Sequence, residues 1–128
     1  MNVHLKWFTD ADFQMDGENV ADRMDADFLL KLDACRDLCG FPFIVTSSFR
    51  TTEKNRRVGG APGSLHLAGR AVDIRCVDGE ARAVIVRHAL SLGLSVGIMR
   101  EAVHLDNRMV GQVVFHYYDR YKASKTQD

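Results

Sequence analysis

The sequence has few of the features that mark secreted, membrane or nucleic-acid-binding proteins. Its 128 residues include two prolines, one tryptophan and three cysteines. No run of residues approaches the ~18 consecutive apolar side chains of a membrane-spanning helix. Basic and acidic residues number 17 each, so the formal net charge is zero. Because a module held on nucleic acid by phosphate contacts needs excess positive charge, we expect neither nucleic acid nor a membrane as a partner.

The three cysteines are an odd number, and their pattern favours neither a disulfide framework nor a cysteine-based zinc site. Cys35 and Cys39 lie four residues apart, and Cys76 is isolated. The N-terminus lacks the charged-then-apolar layout of a signal peptide, so we expect synthesis and folding in a cytoplasm, where disulfides are rare. No Cys-x2-Cys spacing is present, and small buried thiols are therefore the favoured interpretation.

The remaining composition is that of one globular domain. Hydrophobic residues make up 46% of the chain and charged residues 27%, which is ordinary for a folded domain. Neither a repeat nor a Pro/Gly/Ser-rich linker divides the sequence, and we expect a single domain over residues 1–128, acting as a monomer. The charge is uneven, with nine acidic and four basic residues in 1–37 and eight acidic and 13 basic residues in 38–128.

The pattern of apolar residues predicts an α+β fold. Apolar side chains recur at helical spacing over 22–39, and Asp78 is a suitable N-cap for a second helix to about residue 92. Thr51 or Thr52 is expected to cap a short helix that ends at Arg57. Strands are predicted over 41–46, 71–76, 94–99, 103–106 and 112–118. Because the last strands follow one another closely, we expect a small antiparallel sheet flanked by helices.

Strand alternation places two polar side chains on one face of this sheet. Asp73 points away from the apolar residues of its strand, and His104 does the same in the strand over 103–106. A turn at Gly69 can bring His66 back to the same face. Two histidines and one carboxylate are a common ligand set for catalytic zinc, which activates water and polarises a carbonyl. Spacing alone leaves open that these are ordinary hydrogen-bonded strand residues.

Such a centre also needs a group that takes a proton from water and passes it to the leaving amine. Glu101 lies in the turn just before the His104 strand, close enough to approach the metal without binding it.

Three short motifs resemble those of the M15 metallopeptidases. Residues 64–73 read SLHLAGRAVD, which resembles the family signature S-x-H-x-x-G-x-A-x-D at all five fixed positions. Residues 101–104 read EAVH and match the E-x-x-H element. Residues 47–50 read SSFR and resemble S-G-[YF]-R, with Ser48 in place of the usual glycine. The similarity runs from about residue 43 to residue 106.

Members of this family are zinc D-Ala-D-Ala carboxypeptidases, dipeptidases and peptidoglycan endopeptidases with a fold related to the hedgehog signalling domain. The resemblance implies one Zn²⁺ bound by His66, Asp73 and His104, with Glu101 as general base. It also implies that Arg50 contacts the substrate carbonyl, a role that suits a fixed guanidinium. The alternative for Arg50 is a surface arginine in a loop.

The sequence allows two roles for each of two further residues near these motifs. Asp106 follows His104 by two positions, where some family members have histidine. It can orient a ligand histidine or pair with Arg108. His116 can line the substrate groove or be an ordinary strand residue.

The resulting hypothesis is a zinc-dependent peptidase that hydrolyses amide bonds in peptidoglycan stem peptides, as endopeptidase or carboxypeptidase. The absence of an export signal and of a wall-binding module fits a phage lysis enzyme (endolysin) that acts on the cell wall, which we prefer, and also a virion or prophage protein. One alternative is a cytoplasmic D-Ala-D-Ala dipeptidase, and another is a non-catalytic, zinc-stabilised binding module. A deep closed pocket would suit the dipeptide, whereas an open trough would suit the cross-linked wall.

Overall fold

The computed structural model describes residues 1–117, and its elements follow the predicted order. The described residues contain three α-helices: α1 (Ala26–Cys39), α2 (Thr52–Arg57) and α3 (Gly79–Ser91). They also contain seven strands: β1 (Gln14–Met15), β2 (Glu18–Asn19), β3 (Val45–Ser47), β4 (Ala71–Arg75), β5 (Ser95–Ile98), β6 (Ala102–Asp106) and β7 (Val114–His116). Short 3-10 helices cover Asp10–Phe13, Ala21–Arg23 and Leu65–Ala68. The α+β class is confirmed, whereas the single domain over 1–128 reaches beyond the described residues and stays a prediction.

Polar side chains fix where the helices begin. Asp78 accepts a hydrogen bond from the Ala81 amide, and Thr51 accepts one from the Lys54 amide, so α3 and α2 begin where the sequence predicts. Helix α1 begins four residues later than predicted because Asp25 takes the cap position, through a bond from the Phe28 amide.

A five-stranded sheet carries most of the fold, in the order β3-β4-β6-β5-β7. All neighbours pair antiparallel except β5 and β7, which run parallel. The predicted antiparallel pairing is therefore confirmed for β3, β4, β5 and β6, and only the pairing of β7 among the described strands departs from it. Both edges of β6 are already paired, to β4 and β5. The chain that follows β6 therefore adds to the free edge of β5 as β7, and it runs parallel to β5. The strand predicted over 112–118 is shorter in the structure, where it is β7, Val114–His116. Tyr118, the last residue of the prediction, lies outside the described residues.

Two smaller departures from the predicted elements have local causes. The strand predicted over 41–46 begins only at Val45. The rings of Phe41 and Phe43 pack together, with centroids 6.0 Å apart, and this segment does not continue the strand. The hairpin of β1 and β2 was not predicted, although its turn is an Asp16-Gly17 pair, a recognised hairpin signal.

The two faces of the sheet have opposite character. Apolar side chains of the central strands pack against α1 and α3 in one buried cluster, which includes Val72, Ile74, Val96, Val103, Leu105, Phe28, Leu32 and Ile85. Burying each such side chain contributes about 1.5–3 kcal/mol, so this face supplies the stability of the fold. The opposite face is free to carry polar groups. All three cysteines are free thiols, with Cys35 fully buried in the cluster and the other two half-buried.

No helix within residues 1–117 combines the length and the hydropathy that crossing a membrane requires.

We predict that Gly69→Ala destabilises the protein by at least ~2 kcal/mol. Gly69 has a φ of +69°, and an added Cβ would collide with the backbone carbonyl of Arg23. The Gly69 carbonyl also accepts a 2.9 Å hydrogen bond from the Asp25 amide, which ties this turn to the start of α1. Urea unfolding followed by circular dichroism would measure the loss.

The matched control is Gly79→Ala, because Gly79 begins α3 with open space around its Cβ position. We expect this variant to be as stable as the wild type or more so, by about 0.5–1 kcal/mol. Equal stability of the two variants would contradict the account of the Gly69 turn.

Candidate metal centre

The register of the sheet sets Asp73 and His104 side by side on the face that points away from the core. Asp73 on β4 and His104 on β6 are directly opposed residues of an antiparallel pair. Such neighbours have Cβ atoms about 4.5–5.5 Å apart, so their side chains meet. The Nδ1 atom of His104 lies 3.0 Å from Oδ1 of Asp73. Both residues are 4% exposed.

His66 approaches the same carboxylate from a loop. Ser64 caps the short helix that carries His66, and Gly69 ends it in a left-handed conformation. The His66 Nε2 atom lies 3.3 Å from Oδ1 of Asp73. Its Nδ1 atom lies 2.7 Å from the Ser48 carbonyl, which can only accept, so Nδ1 carries a proton. Nε2 can then donate a proton to Asp73 or, once that proton has left, give its lone pair to a metal ion.

The far side of His104 is held by Asp106. The Nε2 atom of His104 lies 2.8 Å from Oδ2 of Asp106, which is fully buried. Arg108 donates two hydrogen bonds to the same carboxylate, from Nε at 2.9 Å and from Nη2 at 2.6 Å. Asp106 thus makes both contacts that the sequence left as alternatives. A carboxylate at Nε2 keeps a proton there. Nδ1 therefore donates a hydrogen bond to Asp73 while the ring is fully protonated, and it can give its lone pair to a metal ion once that proton has left.

Hydrogen bonds control the protonation of this cluster. Burial disfavours the charged form of Asp73, but the hydrogen bonds from His104 and His66 outweigh it and hold the pKa of this carboxyl well below its usual range. Burial likewise disfavours charged Asp106, yet Arg108 and His104 lower its pKa to about 2. Burial also opposes charge on His104, but its bonds to Asp106 and Asp73 raise its pKa above the ordinary value. The cluster therefore attracts positive charge.

The donor atoms fit a bound metal ion. His66, Asp73 and His104 each offer one ligand atom, and these three atoms lie within 4.8 Å of one another. Two imidazole nitrogens and a carboxylate oxygen are ligands that zinc commonly takes in catalytic sites. A metal ion and a proton compete for the same lone pairs, so the affinity of this cluster for positive charge serves either one.

Arg50 lies beside the cluster and is held by several contacts. Its Nε donates to Ser47 Oγ at 3.1 Å, Nη1 donates to Asn55 Oδ1 at 3.3 Å, and Nη2 lies 3.4 Å from Asp73 Oδ2. Its main-chain amide donates to the His66 carbonyl at 3.1 Å. Arg50 is therefore a fixed guanidinium at the centre, rather than a mobile surface arginine.

Asn55 is a member of this site that sequence reasoning missed. It is 4% exposed, and its Nδ2 donates to the Ala61 carbonyl at 2.8 Å while Oδ1 accepts from Arg50. It thereby joins α2, the following glycine-rich loop and Arg50. A single asparagine in a short polar helix offers no spacing or periodicity signal by which to find it.

Glu101 lies at the bend directly before β6, as expected from the sequence. Its main-chain carbonyl accepts a 2.8 Å hydrogen bond from the Cys76 amide, and its side chain is exposed. It lines the same groove as Arg50 and His104. The structure thus brings Glu101 to the groove, while its role in catalysis is still a prediction.

The groove over the polar face, as the described residues form it, has a volume of about 1060 Å³ and is partly open. Phe115 and Tyr117 form an aromatic wall, with ring centroids 5.4 Å apart, and Phe115 also packs against His104. Gly97 makes room for this wall, because a Cβ there would lie 2.7 Å from the Phe115 ring. His116 is an exposed residue of β7 that also lines the groove, so both of its roles stay open.

Comparisons with known proteins show a related fold and a family. One similar solved structure is the crystal structure of the L-Ala D-Glu endopeptidase ChiX of Serratia marcescens. It shares 17% sequence identity and a TM-score of 0.50 with the chain, over 77% of this chain and 85% of that one, which indicates a common fold. None of the curated proteins compared with the chain matches it. A family model described as Peptidase M15 matches residues 6–106. Because this match spans most of the sequence, it confirms the resemblance seen in the motifs, and the chain belongs to the Peptidase M15 family.

Proposed function

We propose that the protein is a zinc-dependent peptidase that hydrolyses amide bonds in peptidoglycan stem peptides. The observation that carries this proposal is the convergence of three buried ligand atoms in a groove that Arg50 and Glu101 also line. Membership of the Peptidase M15 family supports peptidase activity. The fold neighbour, an L-Ala D-Glu endopeptidase, supports a peptidoglycan peptide as the substrate.

Three side chains would hold the metal. They are His66 through Nε2, Asp73 through its carboxylate, and His104 through Nδ1, the atoms that already face one another. When bound, zinc would lower the pKa of a water molecule and polarise the scissile carbonyl. Ser48 and Asp106 would keep the two imidazoles in the tautomers that this binding requires.

Glu101 and Arg50 would carry the remaining chemistry. The exposed carboxylate of Glu101 takes a proton from the attacking water and delivers it to the leaving amine nitrogen, which breaks the C–N bond. Arg50 is fixed by Ser47 and Asn55 before substrate arrives, so it stabilises negative charge on the carbonyl oxygen without reorganising.

The shape of the groove favours an extended peptide over a free dipeptide. A volume of about 1060 Å³ is at the upper limit of ordinary small-molecule pockets, and the groove formed by the described residues is partly open. These features support an endopeptidase more than a D-Ala-D-Ala dipeptidase or a carboxypeptidase. A purely structural zinc module would need neither Glu101 nor a fixed Arg50, so the groove argues against that alternative. Action as a monomer and as a phage lysis enzyme stay predictions.

We predict that the zinc-loaded wild type cleaves purified muropeptides and that Glu101→Gln keeps its zinc but loses about 10²–10⁴-fold in turnover. Glutamine preserves the shape of the side chain but cannot accept the proton. Mass spectrometry of the products would identify the bond that is cut, and elemental analysis would measure zinc.

Glu80→Gln is the control for this experiment, because Glu80 is an exposed acid on α3 outside the groove lining. It should cleave at the wild-type rate. Normal turnover by Glu101→Gln would overturn the role of Glu101, and a zinc-loaded wild type that cleaves no muropeptide bond would overturn the proposed function.

We also predict that His66→Ala loses stoichiometric zinc. The change removes one of three ligand atoms that lie within 4.8 Å of one another, and two ligands hold zinc much more weakly than three. Elemental analysis after dialysis would measure the metal, and circular dichroism would check that the variant is folded. His4→Ala, which alters an exposed histidine outside the groove lining, should keep one zinc per chain. Full zinc retention by folded His66→Ala would show that the ligand set is wrong.

A further inference from the structure

Arg75 projects from the same face of the sheet as the metal cluster. It lies two residues after Asp73 on β4, and residues two apart on a strand share a face and are about 7 Å apart. Its partner across the ladder is Ala102 on β6, the residue that follows Glu101. Since the alanine side chain is short, it leaves space over this part of the groove, and Arg75 is both exposed and part of the groove lining.

Arginines that line the groove differ in whether an acidic side chain already binds them. Arg50 is bound to Asp73, and Arg108 forms a two-pronged pair with the buried Asp106. The guanidinium of Arg75, by contrast, makes no ion pair or side-chain hydrogen bond with any residue in 1–117. Its planar donors are therefore available to an acceptor that enters the groove.

We propose that Arg75 is a specificity residue that binds a free carboxylate of the peptide, on the residue next to the scissile amide. This inference rests on the proposed function, since it assumes a peptide carbonyl beside Asp73. A guanidinium binds a carboxylate through two parallel hydrogen bonds, which a neutral carboxamide cannot reproduce. The fold neighbour acts between L-Ala and D-Glu, where the glutamyl residue next to the scissile amide carries such a carboxylate. The substrate class we propose is therefore a stem peptide in which this glutamyl carboxylate is free.

The two groove arginines that already form ion pairs, Arg50 and Arg108, are poorly suited to this task. Arg108 would have to leave Asp106, and a buried carboxylate without its partner is costly. Arg50 already contacts Ser47, Asn55 and Asp73, and it is placed to contact the carbonyl. Arg75 can bind a carboxylate without breaking any of these contacts.

The test compares two synthetic tripeptides, L-Ala-D-isoglutamyl-L-Lys with a free carboxylate and its carboxamide twin. Calorimetry on the zinc-loaded Glu101→Gln protein gives the dissociation constant of each. We expect the carboxylate peptide to bind roughly tenfold more tightly, with a preference that falls as NaCl is added. In the same Glu101→Gln protein, adding Arg75→Gln should bring the ratio of the two dissociation constants close to one. Binding of the carboxamide peptide should stay within about twofold of its original value, because only the charged contact is lost.

Two further variants separate recognition from a structural effect. Arg75→Lys keeps the charge and should retain part of the preference. Arg87→Gln removes an exposed arginine on α3 outside the groove lining and should retain all of it. Equal binding of the two peptides to the parent protein, or an unchanged ratio in Arg75→Gln, would overturn the role of Arg75.

Cleavage of the same peptides by the zinc-loaded wild type tells the two proposals apart. A carboxylate preference that depends on Arg75, without cleavage of any muropeptide, supports the carboxylate site and overturns the peptidase. Cleavage of both peptides with no preference overturns the carboxylate site and supports the peptidase. If neither peptide binds and neither is cut, the role of Arg75 is overturned.

Discussion

A single buried carboxylate organises this protein. Oδ1 of Asp73 lies 3.3 Å from Nε2 of His66 and 3.0 Å from Nδ1 of His104, in a region where an unpaired charge would be strongly destabilising. The three groups are stable together only if positive charge is shared among them, as protons or as a metal ion. Ser48 and Asp106, with Arg108 behind Asp106, hold the far nitrogen of each imidazole. These contacts keep Nε2 of His66 and Nδ1 of His104 facing Asp73.

The sheet makes this arrangement possible because it keeps apolar side chains on one face and ionisable side chains on the other. One face of β4 and β6 packs Val72, Ile74 and Val103 against α1 and α3. The other face then carries ionisable groups close to the same backbone, where the ladder fixes Asp73 opposite His104. A slip of one residue in this pairing would move the apolar residues into the groove and the ligands into the core, so the core also specifies the site.

Much of this arrangement was predictable because it depends on local periodicity. Strand alternation predicts that Asp73 and His104 share a face, and the cap residues Thr51 and Asp78 correctly mark two helix starts. The parallel β7, the buried Asn55 and the double contact of Asp106 were not predictable in this way. Each depends on which edges and polar atoms remain unpaired after distant segments have packed, and spacing along the chain does not encode that.

The central claim is that His66 Nε2, the Asp73 carboxylate and His104 Nδ1 form one metal centre. Crystals of the zinc-loaded protein, with anomalous diffraction recorded on both sides of the zinc edge, would test it most directly. The account predicts one peak per chain, bonded to those three groups at about 2.0–2.2 Å, with His104 Nε2 still on Asp106. A peak elsewhere on the protein, or a zinc ion bonded to His104 through Nε2, would contradict it.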